Sequence, residues 1–132
     1  MERNHTPLLV VEDDAAIRAM MCAALREDGL PCEAAADGRE ALTRLSAEQP
    51  AAVLLDLGLP HADGEAIAAY IQAHFGDTVP IIIVSATAQF EARPWRLGAR
   101  AYVQKPFDLD VLLGTVRRVL GLDREQGTGD ST

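Results

Sequence analysis

Lysine is nearly absent from this 132-residue chain: of twelve lysine and arginine residues, only Lys105 is a lysine. Cysteine is scarce too. Cys22 and Cys32 lack CxxC or any other metal-like spacing, so the expectation is two buried apolar thiols in a reducing compartment. No apolar run approaches the ~20 residues that cross a bilayer. The start, Met1-Glu2-Arg3-Asn4-His5, lacks the layout of a signal peptide, so a soluble cytoplasmic protein without membrane contact is expected. Positive charge is in deficit, with twenty acidic residues against twelve basic ones and a net charge of −8. That balance argues against direct, phosphate-driven binding of nucleic acid.

What remains is a chain 48% hydrophobic and long enough for one core. Its apolar residues fall into short aliphatic runs at about 8–12, 32–36, 52–56, 80–85 and 101–105, which read as strands buried on both faces. Helical patterns alternate with them. Ile17, Met20, Met21, Ala24 and Leu25 mark one face of the first, which Asp14 or Asp13 caps and Gly29 with Pro31 closes. Ala41, Leu42 and Leu45 mark the second, over about 38–48, and Ile67, Tyr70, Ile71 and Phe75 the third. Leu109, Leu112, Leu113, Val116 and Leu120 mark the fifth, after a cap at Asp108. Successive βα units predict an α/β fold with a doubly wound, five-stranded parallel sheet in the order 2-1-3-4-5.

Four of these runs end in reactive side chains. They are Leu8-Leu9-Val10-Val11 before Glu12-Asp13-Asp14, Ala52-Val53-Leu54-Leu55 before Asp56, Ile81-Ile82-Ile83-Val84 before Ser85, and Ala101-Tyr102-Val103-Gln104 before Lys105. Ligands bind outside the carboxyl ends of parallel strands, so these groups converge on one edge. Crowded carboxylates call for a cation, and with a hydroxyl and an ammonium they suit a divalent metal and a phosphoryl group. A turn with a helix cap also accounts for Asp14, and Thr87 competes with Ser85 as the hydroxyl.

These residues resemble the receiver domain of two-component response regulators. The motifs are Val10-Val11-Glu12-Asp13-Asp14, Asp56-Leu57-Gly58-Leu59-Pro60 with Asp63-Gly64, Ser85-Ala86, and Gly98-Ala99 leading to Lys105-Pro106-Phe107. Each is weak alone; in order over about 7–121 they are strong. The resemblance implies a flavodoxin-like fold and a phosphoacceptor at Asp56. It implies Mg²⁺ held by Glu12, Asp13, Asp56 and the backbone carbonyl of Gly58. It implies that Lys105 pairs with Asp56 and then with the acyl phosphate, before a cis Pro106. Ser85 would donate to a phosphoryl oxygen, and Ser85 with Tyr102 would form the switch. The implied partners are a histidine kinase or histidine phosphotransfer protein and a downstream partner or output domain, with, in many members, a second receiver copy.

The expected division is a receiver over 1–122 and a polar tail or the start of a linker over 123–132. The expected activity is self-modification by phosphorylation and dephosphorylation rather than enzymatic turnover. Two rivals stand beside it: a pseudo-receiver that only binds proteins, and a haloacid-dehalogenase-type phosphohydrolase, for which Asp56-Leu57-Gly58 lacks the second aspartate. His5, His61 and His74 show no ligand spacing. Arg100, Arg117 and Arg118 are expected to form a basic patch on the face of the fifth strand and fifth helix. Between Ser85 and Gly98 the chain is shorter than the family's, and Pro94 either starts a short fourth helix or bends a longer one from about Ala88.

Overall fold

A computed structural model describes residues 6–60, 63–86 and 97–122. Its strands are β1 (Leu8–Val11), β2 (Cys32–Ala35), β3 (Val53–Leu55), β4 (Ile81–Ser85) and β5 (Ala99–Gln104). The described helices are α1 (Ala15–Glu27), α2 (Gly38–Ala47), α3 (Asp63–Phe75) and α4 (Leu109–Leu120), the last being the fifth helical pattern of the sequence. The stretch around Ala88 and Pro94 lies outside the described residues, as do His5, His61 and Thr87. All strand pairs are parallel, in the order β2-β1-β3-β4-β5, which is the order expected.

Alternation along each strand divides the core in two, because successive side chains point to opposite faces of a sheet. Leu8, Val10, Leu54, Ile82 and Val84 pack on one side with Met21 and Leu25 of α1 and Leu112 and Val116 of α4. Leu9, Val11, Val53, Leu55, Ile81 and Ile83 pack on the other with Ala41 and Leu45 of α2 and Ile67 and Ile71 of α3. Every position of the central strands is therefore covered, which is why they read as unbroken aliphatic runs. Leu54→Ala empties a site only 1% exposed and should cost about 2–5 kcal/mol. Urea unfolding should show a lower midpoint with an unchanged slope.

The ends of the elements carry the finer differences. Asp14, not Asp13, caps α1, its Oδ1 accepting from the Ile17 N–H at 2.9 Å. Asp37 caps α2 through the Glu40 N–H at 2.8 Å, and the Glu40 carboxylate reaches back to the Ala36 N–H at 2.7 Å, a reciprocal capping arrangement. Asp108 occupies the cap position of α4 but makes no side-chain cap bond; its carbonyl accepts from Val111 and Leu112 instead. Strand β5 begins two residues before the apolar run suggested, because Ala99 pairs with Ile81 and Ala101 with Ile82, leaving Arg100 as an extra residue in the ladder. Gly98 precedes it with φ +83°, a conformation that favours glycine.

Candidate functional site

The carboxyl ends of β1, β3, β4 and β5 form the edge that carries the reactive groups. Beyond β1, the Glu12 N–H donates to the Ala35 carbonyl at 3.1 Å, which continues the pairing with β2 and holds Glu12 at the sheet edge. The Glu12 side chain is buried, while Asp13 is exposed. Beyond β3, the Asp56 N–H donates to the Val11 carbonyl at 3.1 Å, and this bond sets Asp56 beside the acidic turn. Asp56 is 5% exposed. Its Oδ1 accepts from the Gly58 N–H at 2.8 Å. A Cβ at Gly58 would stand 3.2 Å from that same oxygen, so a side chain there would crowd the carboxylate.

Lys105 enters from the end of β5. Its N–H donates to the Ser85 carbonyl at 2.8 Å, and the Lys105–Pro106 bond is cis, as the resemblance implied. Its Nζ donates to Glu12 Oε1 at 2.7 Å and to Asp56 Oδ2 at 3.2 Å. The ammonium thus bridges two buried carboxylates. Burial raises the pKa of Glu12 above the usual carboxylate range; the Lys105 bond opposes this and the Asp56 charge adds to it. At Lys105 burial favours the neutral amine, but the Glu12 bond and the Asp56 charge outweigh it, and the pKa lies above the ordinary lysine value.

The bridge has a consequence for stability. Lys105→Ala leaves Glu12 and Asp56 facing each other without their ammonium. Removing one partner of a buried pair costs about 3–5 kcal/mol, and the low end applies here because Glu12 can take up a proton. Added Asp56→Asn should recover much of the loss, measured by urea unfolding without divalent cation.

Carboxylate oxygens of Glu12, Asp13 and Asp56 lie within 4.8 Å of one another. The donor set is all oxygen, without thiol or imidazole, which suits a hard cation such as Mg²⁺ and not a soft metal. Asp13, on the solvent side, leaves room for the waters that Mg²⁺ retains. Ser85, 1% exposed, ends β4 opposite Gln104. Tyr102 is half-buried on β5, paired in register with Ile83 and packed against the α2–α3 side of the core. Glu12, Asp13, Asp56 and Lys105 therefore meet, with Gly58 touching Asp56 through its N–H and Ser85 joined to Lys105 through its backbone. Tyr102 stands farther back along the neighbouring strand.

Arg18 has a place here that the sequence analysis missed. From the first turn of α1 its Nη1 donates to the Glu12 carbonyl at 2.8 Å and to that of Asp13 at 3.4 Å. Helical side chains lean toward the amino end, so a long side chain soon after the cap can reach back to the loop before it. Of the three arginines expected to form a basic patch, Arg117 pairs with Asp28 at 3.1 Å, Arg100 is exposed and donates to the Asp77 carbonyl at 3.2 Å, and Arg118 is exposed. Two of the three are engaged by neighbouring elements. His74 stacks on Tyr70 with ring centroids 3.9 Å apart, away from the acidic cluster.

Comparison with known proteins agrees with this geometry. The family model described as the response regulator receiver domain matches residues 8–117. Response regulator MprA of Mycolicibacterium vanbaalenii is 36% identical over 127 residues, covering 94% of this chain and 54% of that protein. Transcriptional regulatory protein CseB of Streptomyces coelicolor is 38% identical over 131 residues, covering 98% and 55%. The chain thus spans about half the length of these relatives. Response regulator TrrA of Thermotoga maritima, solved in complex with Mg(2+)-BeF, superposes with a TM-score of 0.78 at 29% identity, over 86% of this chain and 98% of that one. The chain belongs to the response regulator receiver domain family. Among the described residues, no helix is long and apolar enough to cross a membrane.

Proposed function

We propose that this receiver takes a phosphoryl group onto Asp56 from a histidine kinase or a histidine phosphotransfer protein, in a Mg²⁺-dependent reaction in the cytoplasm. The observation that carries the reading is the environment of one carboxylate. Asp56 is buried, one oxygen is held by the Gly58 N–H, the other faces the Lys105 ammonium, and two more acidic groups stand alongside. A carboxylate so oriented is a nucleophile that needs only a positioned phosphorus and neutralised charge.

In this reading an Asp56 oxygen attacks the phosphorus of the phosphohistidine, the P–O bond forms as the P–N bond breaks, and the imidazole leaves. Lys105 shifts its ammonium from the free carboxylates to a phosphoryl oxygen, where a compact point charge suffices. Glu12, Asp13, Asp56 and the Gly58 carbonyl hold Mg²⁺, which supplies charge neutralisation for the transferring group. Ser85 donates its hydroxyl to a phosphoryl oxygen. Tyr102 then turns inward on β5, and the change is read by a partner protein or an output domain. Residues 1–122 form the receiver and 123–132 a polar tail or linker. The reactions it catalyses are its own phosphorylation and dephosphorylation, without turnover of a separate substrate.

Incubation with acetyl phosphate, with and without Mg²⁺, followed by intact mass, tests the proposal. A single phosphoryl adduct that requires Mg²⁺ supports it. Turnover of the donor without an adduct, or no reaction, overturns it.

A further inference from the structure

Cys22 and Cys32 come together although ten residues separate them in the chain. Cys22 lies on the buried face of α1 and Cys32 opens β2, the edge strand that α1 covers. Their sulfurs stand 2.9 Å apart and unbonded, closer than the roughly 3.5–4 Å that non-bonded carbon atoms keep. A buried cysteine is ordinarily a small hydrophobe. Two in sulfur contact are a dithiol, and the distance left to a covalent S–S bond, about 2.05 Å long, is small.

We propose that Cys22 and Cys32 are a reversible oxidation site, closed to an intramolecular disulfide by a small hydroperoxide. The surroundings favour Cys22 as the attacking group. The Cys32 thiol hydrogen-bonds to its sulfur and, against the effect of burial, lowers its pKa, helped by the guanidinium groups of Arg26 and Arg18. The same contact and burial raise that of Cys32, which keeps its proton. Arg26 is anchored at this point, its Nη2 donating to the Cys32 carbonyl at 2.6 Å.

The Cys22 thiolate attacks one peroxide oxygen, the O–O bond breaks, and the departing hydroxide takes a proton to become water. Cys22 is then a sulfenic acid. The Cys32 sulfur attacks it, the S–S bond forms as the S–O bond breaks, and hydroxide leaves with the Cys32 proton as a second water. Two thiols are oxidised and one peroxide reduced. Both cysteines are buried, at 4% and 5% exposed, so bulky disulfides are excluded and only a small oxidant is a suitable co-reactant.

The test treats folded, reduced protein with hydrogen peroxide, quenches in acid, unfolds it and labels free thiols with N-ethylmaleimide before intact mass. The expected product is a monomer lighter by two hydrogen atoms that takes no label and regains both labels after dithiothreitol. Cys32→Ala should stop at a sulfenic acid that dimedone traps, while Cys22→Ala should keep Cys32 available for labelling. Retention of both labels in the folded wild type, single-site over-oxidation without a cross-link, or disulfides only between molecules would overturn the assignment.

Discussion

Asp56→Asn should fold like the wild type and give no phosphoryl adduct with acetyl phosphate and Mg²⁺. The asparagine oxygen can still accept from the Gly58 N–H, the bond that fixes the aspartate at 2.8 Å. The other contact, from Lys105 to Asp56 Oδ2, changes from an ion pair to an ordinary polar contact. Lys105 keeps its closer partner, Glu12, at 2.7 Å, so the ammonium is not orphaned, and one buried negative charge is removed. Stability should therefore hold or rise. An amide is not a nucleophile, so the chemistry should vanish rather than slow. Circular dichroism with urea unfolding reads the fold, and intact mass reads the adduct. An adduct in the mutant equal to that of the wild type would move the acceptor elsewhere.

Asp13→Ala should separate chemistry from stability in the opposite manner. Asp13 is exposed, and its carbonyl, which Arg18 holds, survives the substitution. The unliganded mutant should stay within about 0.5 kcal/mol of wild type, as surface changes do. Its Mg²⁺ affinity should fall sharply, because one of three clustered carboxylates is lost. Metal stabilisation of a transferring phosphoryl group amounts to several kcal/mol, and each 1.4 kcal/mol is tenfold in rate, so phosphorylation should slow by about two orders of magnitude or more. Titration calorimetry with Mg²⁺ and the time course of adduct formation check the two halves. A mutant that loses stability without Mg²⁺, yet binds the ion normally, contradicts the role given to Asp13.

Much of this arrangement is legible in the sequence for a specific reason. Strands buried on both faces leave unbroken aliphatic runs, and in a parallel sheet their carboxyl ends share one edge. Glu12, Asp13, Asp56 and Lys105 could therefore be brought together before any coordinates. Chain contacts that depend on side-chain reach were not legible. The expected partner of Lys105 was Asp56, whereas its shorter bond is to Glu12. Arg18 carries no motif, and only the return of α1 against the β1 loop reveals its target. Arg100 interrupts the apolar pattern of β5 because it is an extra residue in the ladder, so the strand seemed to begin later than it does. Asp108 has the residue type of a cap without the bond, which depends on a side-chain rotation no sequence specifies. The sequence predicts two buried thiols, and both cysteines are free and buried. Their contact comes from how α1 folds over β2.

The central claim is that one carboxylate, Asp56, accepts the phosphoryl group. Its most direct test treats the phosphorylated wild type with borohydride, which reduces an aspartyl phosphate to homoserine, followed by peptide sequencing by mass spectrometry. The account predicts homoserine at position 56, formed only when Mg²⁺ was present during phosphorylation. Homoserine at position 13 or 63, or none in a protein that carries the phosphoryl mass, would contradict it.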